Sequence, residues 1–440
     1  MKVLLAMSSN CTIAKKNMGL PQIEMLFLTA QLPFPPASGG RRREYELISR
    51  LGKRIKIHLC SLTIEPEIDS LSLRYLQPYC ASISLFRISN PAQLNGHTRR
   101  RPWLMNRYYS EEGVHGISQL FMDHCFDLVH LEGYYLMQLL PRNLDLPIVL
   151  VEHNIEYSLD LQRTFLSRSS QDFFSSWREY YFTFLWERTS WRGATKVVAL
   201  TAEDQATIKR LEPNVDVQMI PNGIDHEPSI VQLRSYGRKN ILENSIYSNT
   251  QCGKDPSILF VCNFAYEPNV DAALYFSKYI FPLILNQVPT TILYLVGNSP
   301  PAEVFALKNT SSKSSHIEVT GYVESINPFY KAAQVVVCPL RIGGGIKVKI
   351  LEALKAGKAI VSTSVGAQGL NINNQALCVC DKVSDFASNV IRLLVNPQER
   401  YLQEQEALRF GRTFPTWKQI AEEYELSYHK IVSTTYSEKA

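Results

Sequence analysis

Three consecutive glycines, Gly343, Gly344 and Gly345, lie between an apolar run ending near Cys338 and a stretch with helical apolar spacing around Lys347 to Lys355. Glycines there let the backbone adopt positive φ and approach a ligand closely, and the helix behind them aims unsatisfied N–H groups and the positive end of its dipole at the same space. That combination suits a phosphate. Arg341 before the glycines and Lys347 just after Ile346 add positive charge beside the same anion. Glu352, seven residues beyond Gly345, returns to roughly the same helix face, where a carboxylate accepts from sugar hydroxyls rather than meeting phosphate. A tight turn with a solvated helix face would account for the glycines alone; Arg341, Lys347 and Glu352 around them favour a nucleotide-type site.

Gly39 and Gly40 follow PFPPAS and precede a helix, a backbone suited to a phosphate or a transferred sugar, with a simple turn as the alternative. His153 follows the apolar run PIVLV, at a strand's C-terminal end where open α/β sheets bind ligands, with Glu152 and Asn154 beside it. His130 and Glu132 end a similar run, FDLVHLE. In IPNGID, Asn222 and Gly223 suit a positive-φ turn, read as hinge geometry with ligand contact as an added role. Asp204 in TAEDQ suits a helix start. Thr363 and Gly366 end the strand after the glycine-loop helix and line the same region.

The elements that must position these residues follow from the hydrophobic period. Short β-rich runs alternate with longer amphipathic stretches from MLFLTAQL to VQMIPNG, and the same succession restarts with SILFVCNF and runs to AIVSTS. Such a βα grammar predicts parallel sheets covered by helices on both faces, in two doubly wound halves. The expected organisation is a leader over 1–24, a first Rossmann-like domain over 25–225, a linker or surface excursion over 226–256, and a second such domain over 257–405. Helices over 406–440, broken at Gly411 and Pro415, could cross back to the first domain.

The chain has 440 residues with 45% hydrophobic and 20% charged residues, which excludes a disordered, collagenous or disulfide-stapled miniprotein. No stretch reaches the roughly 18 uncharged apolar residues of a membrane span, and the start lacks a secretory pattern. Nine scattered cysteines without a CxxC pair read as reduced core thiols, so a cytoplasmic protein is expected. Of the net charge of +5, residues 1–110 carry an excess of ten, concentrated in Arg41 to Arg43 and Arg99 to Arg101 with Trp103 and Tyr108 nearby. A solvated rim or contact with an anionic membrane or substrate would each explain it. No nucleic-acid-binding signature accompanies the charge.

The segment PLRIGGGIKVKILEALKAGKAIVSTSVGAQGL, residues 339–370, resembles the donor-site signature of glycosyltransferase family four. The resemblance extends from Met25 to Ile431 through PFPPASGGRRREYEL, EHNIEY, TAEDQ, IPNGID and NFAYEPNVDAALYF. It implies a retaining enzyme of GT-B-like fold, moving a sugar from a nucleoside-diphosphate sugar (UDP or GDP) to a glycan, lipid-linked or small-molecule acceptor across an interdomain cleft, with 25–225 as the acceptor-side domain and 257–405 as the nucleotide-sugar donor domain. It further implies a role in polysaccharide or envelope glycan synthesis, in the cytoplasm or peripherally at the inner face of the membrane. Family members commonly carry two Glu residues, one on the sugar and one on the ribose; Glu352 matches the second, while the first falls on Gly344. The family's frequent Lys after the first strand of the second half is replaced by Asn263-Phe264-Ala265. Arg341 and Lys347 are the candidates for that charge, and His153 resembles the family histidine at the donor sugar. There is no Asp-x-Asp, so the expected site works without metal or other cofactor, the leaving diphosphate helping to take the acceptor's proton. A non-catalytic nucleotide-sugar-binding or scaffold member and, behind it, a nucleotide-sugar epimerase are the alternatives.

Overall fold

A computed structural model describes residues 22–90, 100–166, 170–225, 255–309, 316–323, 325–370 and 375–438. The chain forms two units, the first ending at Gly223 and taking in Trp417 onwards, the second spanning Ile224–Thr416. Most of the leader, residues 226–254 of the linker, and Arg99 lie outside the described residues. Residues 406–416 stay with the second unit rather than joining the C-terminal helix.

The first unit holds a seven-stranded parallel sheet ordered β3-β2-β1-β4-β5-β6-β7. Its strands are β1 (Glu24–Thr29), β2 (Lys56–Thr63), β3 (Ser82–Arg87), β4 (Leu128–Glu132), β5 (Ile148–Glu152), β6 (Lys196–Ala199) and β7 (Val217–Met219). Strands such as LVHLE and IVLVE are buried throughout, as a parallel sheet covered on both faces requires. Sequence order reverses between β1 and β4, and at such a switch point the loops leaving the strands splay apart and leave room for a ligand.

The helices that matter in this unit are α1 (Gly39–Leu51), α2 (Glu156–Leu166), α3 (Ser170–Gly193) and, beyond the second unit, α7 (Trp417–Glu438). Ser38 starts α1 by accepting from the Arg41 N–H at 3.4 Å, so Gly39 and Gly40 form its first turn. Helix α7 packs on α1, where Tyr424 meets Arg43, and its Tyr424 and Tyr428 are both fully buried. Arg43 meets it there: its Nη2 donates to the Tyr424 hydroxyl at 2.6 Å and its Nη1 to Asn222 Oδ1 at 2.9 Å. Arg43 is therefore a core residue and not part of a solvated rim, because Tyr424 of α7 and the Pro221-Asn222 turn supply the acceptors that a buried guanidinium needs.

The second unit repeats the order with six strands, β10-β9-β8-β11-β12-β13. They are β8 (Ser257–Val261), β9 (Ile292–Val296), β10 (Ile317–Gly321), β11 (Val335–Cys338), β12 (Ala359–Ser362) and β13 (Cys378–Val379). Its switch point lies between β8 and β11. Helix α4 (Glu267–Tyr275) follows β8, α5 (Val348–Lys355) follows β11, and α6 (Pro397–Gly411) packs against α5. Among the described cysteines, Cys60, Cys80, Cys262, Cys338, Cys378 and Cys380 are free thiols, whereas Cys125 is disulfide-bonded, a departure from the all-reduced expectation.

Candidate functional site

In the second unit the glycine loop leaves β11 at the switch point and enters α5. Gly345 has φ +61°, a left-handed conformation that glycine adopts without steric cost. A Cβ on Gly343 would lie 3.0 Å from Lys347 Cε and 3.3 Å from Val365 Cγ1. Lys347 curls back over the loop, its Nζ donating to the Gly344 and Gly345 carbonyls at 2.7 Å each. With these carbonyls facing the ammonium, the loop is cross-braced before any ligand arrives. Ile346 is buried in the unit's core and anchors the loop from below.

Arg341 pairs through two nitrogens with Asp271 of α4, Nε lying 3.0 Å from Oδ2, and stacks 4.5 Å over the Tyr275 ring. Asp271 thus offsets part of the positive charge expected at the loop. A cation not singled out from the sequence, Lys349, sits at the same switch point: its Nζ donates to Asn269 Oδ1 at 2.6 Å and lies 4.6 Å from the Phe260 ring centroid. The KVK spacing carried that signal, but which lysine turns towards β8 depends on where α5 begins. It begins at Val348, one residue after Lys347. Glu352 Oε2 lies 3.5 Å from the Tyr330 hydroxyl, which also donates to the Lys349 carbonyl at 3.2 Å. Thr363 and Gly366 brace the neighbouring turn, Thr363 Oγ1 accepting from the Gly366 N–H at 3.0 Å; a Cβ on Gly366 would come within 2.6 Å of the Cys338 carbonyl oxygen. Arg341, Lys347, the three glycines and Glu352 thus belong to one loop-and-helix corner.

In the first unit the C-terminal ends of β1, β4 and β5 and the start of α1 gather His153, Gly40, Glu132, His130 and Glu44. A Cβ on Gly40 would lie 3.9 Å from His153 Cε1, so the start of α1 flanks the imidazole. His153 Nε2 lies 2.7 Å from Glu132 Oε2, and His130 Nε2 lies 2.8 Å from Glu132 Oε1. Burial by itself would raise the Glu132 carboxyl, but the two imidazoles beside it, His130 and His153, outweigh it and hold it well below the usual range. Glu44, from the second turn of α1, is pushed the other way by burial and by Glu132, against Arg41 and Arg43. Asn222, proposed from sequence as a donor contact, is buried against Arg43 instead.

His153 and its neighbours also sit beside a second acidic group. Glu152 accepts from Trp191 Nε1 at 2.8 Å, and Glu187 of α3 accepts the Glu156 and Tyr157 N–H groups at 2.8 and 3.1 Å, capping α2. Burial raises the Glu152 and Glu187 carboxyls well above the carboxylate range and brings Glu156 to about 7. Asp204 lies within the first turn of its helix, Thr201 Oγ1 capping it at 3.0 Å.

Among the described residues, two groups of side chains have ligand atoms close enough to share a metal ion: Glu44, Glu132 and His153, and Glu24, His58 and His124. In the second, Lys56 Nζ already lies 3.0 Å from Glu24 Oε1, at the N-terminal end of β1, away from the edge where such sheets bind ligands.

Residues 37–228 match the model of Glycosyltransferase Family 4, and residues 255–396 that of Glycosyl transferases group 1. A 145-residue stretch is 23% identical to an uncharacterized 44.6 kDa protein in the cps region of Klebsiella pneumoniae, covering 32% of this chain and 37% of that relative's length. Sucrose-phosphate synthase from Thermosynechococcus elongatus has the same fold at TM-score 0.70 and 14% identity, over 94% of this chain and all of that one, the covered share of the latter being 100%. HepE from Anabaena, solved with UDP-glucose, superposes at TM-score 0.63 and 14% identity over 93% of this chain and 100% of its own. With one glycosyltransferase model on each unit and two doubly wound sheets of the same strand order, the chain belongs to the family-four glycosyltransferases of GT-B fold.

Proposed function

We propose that the enzyme transfers a sugar from a nucleoside-diphosphate sugar, with UDP or GDP as the nucleotide, to a glycan or lipid-linked acceptor in polysaccharide or envelope glycan synthesis. The observation that carries this reading is the braced triple-glycine loop at the second unit's switch point, with Glu352 on the helix it opens. In this reading the loop N–H groups and the start of α5 receive the diphosphate, Arg341 and Lys347 offset its charge, and Glu352 accepts from the ribose. His153 and the Gly39-Gly40 turn serve the transferred sugar and acceptor. The bond from the anomeric carbon to diphosphate breaks, the acceptor oxygen takes that carbon on the same face, and the acceptor's proton passes to the leaving diphosphate. Retention rests on family membership, and no step needs a bound metal or other cofactor.

The test is thermal-shift binding of UDP-, GDP- and ADP-sugars and their free diphosphates to the native chain, Glu352→Ala and Lys347→Ala. Ligand that binds the folded state alone raises the melting temperature by mass action. A shift selective for one nucleotide and weakened in both variants is expected; no shift at millimolar ligand would overturn the reading.

The lipid-linked class of acceptor is supported by the surface of the first unit. No helix among the described residues is long and apolar enough to cross a membrane. Yet Phe174, Trp177, Tyr181 and Leu185 form an exposed stripe along α3, with Phe165 at the end of α2 (77% exposed) beside them in sequence. A 260 Å³ pocket at this hairpin is lined by Trp103, Arg163 and Arg178 together with Asp160, Glu179 and two serines. Aromatic rings flanked by arginines suit the interfacial layer of an anionic bilayer. Flotation with anionic vesicles that drops in Phe174→Ser/Trp177→Ser and on charge reversal at Arg100 and Arg101 is expected; equal flotation with neutral lipid would refute it.

A further inference from the structure

Four side chains from three parts of the first unit form one line of close polar contacts that ends on His153. It begins on the C-terminal helix α7, where the Tyr428 hydroxyl lies 2.8 Å from His130 Nδ1. It continues from His130 Nε2 to Glu132 Oε1 at 2.8 Å, and from Glu132 Oε2 to His153 Nε2 at 2.7 Å. Tyr428, His130 and Glu132 are fully buried, and the Phe27 ring stacks on His130 with centroids 4.1 Å apart, so none of the three can rotate freely. His153 alone reaches the surface, with 24% of its side chain exposed.

We infer that Tyr428, His130 and Glu132 act as a positioning relay that holds His153 in a single ring orientation, with Nε2–H bound to Glu132 and Nδ1 left for the substrate. The proton count admits one arrangement. Burial keeps His130 neutral and Tyr428 a phenol, while Glu132 is a carboxylate that can only accept. His130 must then donate from Nε2 to Glu132, because its other tautomer would set a lone pair against a buried carboxylate. Its Nδ1 therefore accepts the Tyr428 proton. The second Glu132 oxygen is buried without a hydrogen-bond donor among the described residues, and His153 Nε2 at 2.7 Å is the group placed to supply one, which puts the proton on Nε2 and frees Nδ1. The Cε1 edge next to that nitrogen is the one flanked by Gly40. A helix joined to the rest of the unit by sequence-distant contacts thus sets the orientation of a side chain at the ligand end of the sheet.

This inference rests on the reading that His153 meets the substrate, and the experiment separates the two. Residue-resolved histidine nitrogen shifts in the full-length enzyme, recorded by NMR, report the tautomer without any turnover. The expected result is Nε2–H for both histidines in the native chain, loss of the single His153 tautomer in Glu132→Gln, and its retention in Glu132→Asp. Steady-state kinetics should show kcat lowered about 10–100-fold in Glu132→Gln with KM little changed, the size seen when a partner that orients a functional histidine is removed. Tyr428→Phe deletes one oxygen from an otherwise unchanged core and guards against a Glu132 variant that fails to fold; it should mix the His130 tautomers and lower kcat several-fold. Native His153 protonated at Nδ1, or kcat unchanged in a folded Glu132→Gln, would overturn the relay. Zn²⁺ or Mn²⁺ at micromolar concentration displacing the His153 signals would overturn it too, making Glu44, Glu132 and His153 a metal site. If His153→Ala turns over normally while the tautomers behave as expected, the relay stands and the substrate contact is what fails.

Discussion

Raising pH from 4.5 to 7 should remove from the first unit the stability that a protonated Glu156 contributes, and a variant at that position measures it. Its carboxyl lies at about 7 in the folded chain against 4.5 for an ordinary glutamate; burial is the largest cause, Asp160 adds to it, and Asn154, Arg163 and His153 oppose it. A group raised in this way binds its proton more tightly when folded, so its contribution is whole below pH 4.5, declines as pH rises through the window, and levels off above 7. A displacement of that size corresponds to about 3 kcal/mol at 1.36 kcal/mol per unit, an upper figure because the side chain keeps some solvent contact. Glu152 and Glu187 are displaced in the same direction, so the native slope should be steeper than Glu156 alone gives. Glu132 works the other way, but its unfolded form titrates at the lower edge of the window and its folded form well below it, so it stays ionised in the folded chain throughout. His130 and His58, both lowered by burial, also add stability as pH rises towards the ordinary histidine value of 6.5, so the Glu156 share is read from the difference between the native chain and its variant. The assay is urea unfolding at several pH values followed by tryptophan fluorescence. All five tryptophans (103, 177, 186, 191 and 417) belong to the first unit, so the signal reports that unit and not its neighbour. Glu156→Gln should flatten the dependence by up to about 3 kcal/mol. A pH dependence identical in the native chain and Glu156→Gln, or one in which the variant loses more stability than the native chain as pH rises, would refute the reasoning.

Other outcomes follow from the second unit and from α7. Gly345→Ala forces a side chain into φ +61°, which should cost about 1–2 kcal/mol and weaken nucleotide-sugar binding measured by calorimetry. Gly343→Ala crowds Lys347 Cε at 3.0 Å and should loosen the brace, giving a smaller melting-temperature rise with nucleoside diphosphate than the native chain. Asp271→Asn releases Arg341 from its carboxylate and should tighten diphosphate binding several-fold, an effect absent in the Arg341→Met background. Tyr424→Phe leaves Arg43 Nη2 without its acceptor and should lower first-unit stability by about 1.5–3 kcal/mol in the same fluorescence assay.

The sequence by itself determined the architecture and the outline of the donor corner. Apolar strand runs such as FDLVHLE and QVVVCPL are read locally, because a strand buried on both faces must be apolar at nearly every position. The triple glycine is equally local, since its backbone freedom and the helix behind it are both set within a dozen residues. The long helix α3 was not legible: it is buried on one side through Thr183 and Glu187 and exposes aromatics on another, so its apolar residues carry no single period. Strand β3, half-buried at the sheet edge, gave a similarly weak signal.

Tertiary structure alone decided which charges are free and which are spoken for. Arg43 looks like its neighbours Arg41 and Arg42, but its guanidinium is buried because acceptors arrive from Asn222 and, 381 positions away in sequence, Tyr424. Arg341 is tied to an aspartate 70 residues earlier and Lys347 to its own loop, contacts that spacing does not encode. His130 and Glu132 alternate within one strand, a pattern that says only that their side chains share a face. That the shared face meets His153 and a tyrosine 298 residues further on depends on strand order and on where α7 packs. Burial and hydrogen bonding between distant residues set the ionisation of these groups, and both quantities exist only once the chain has folded.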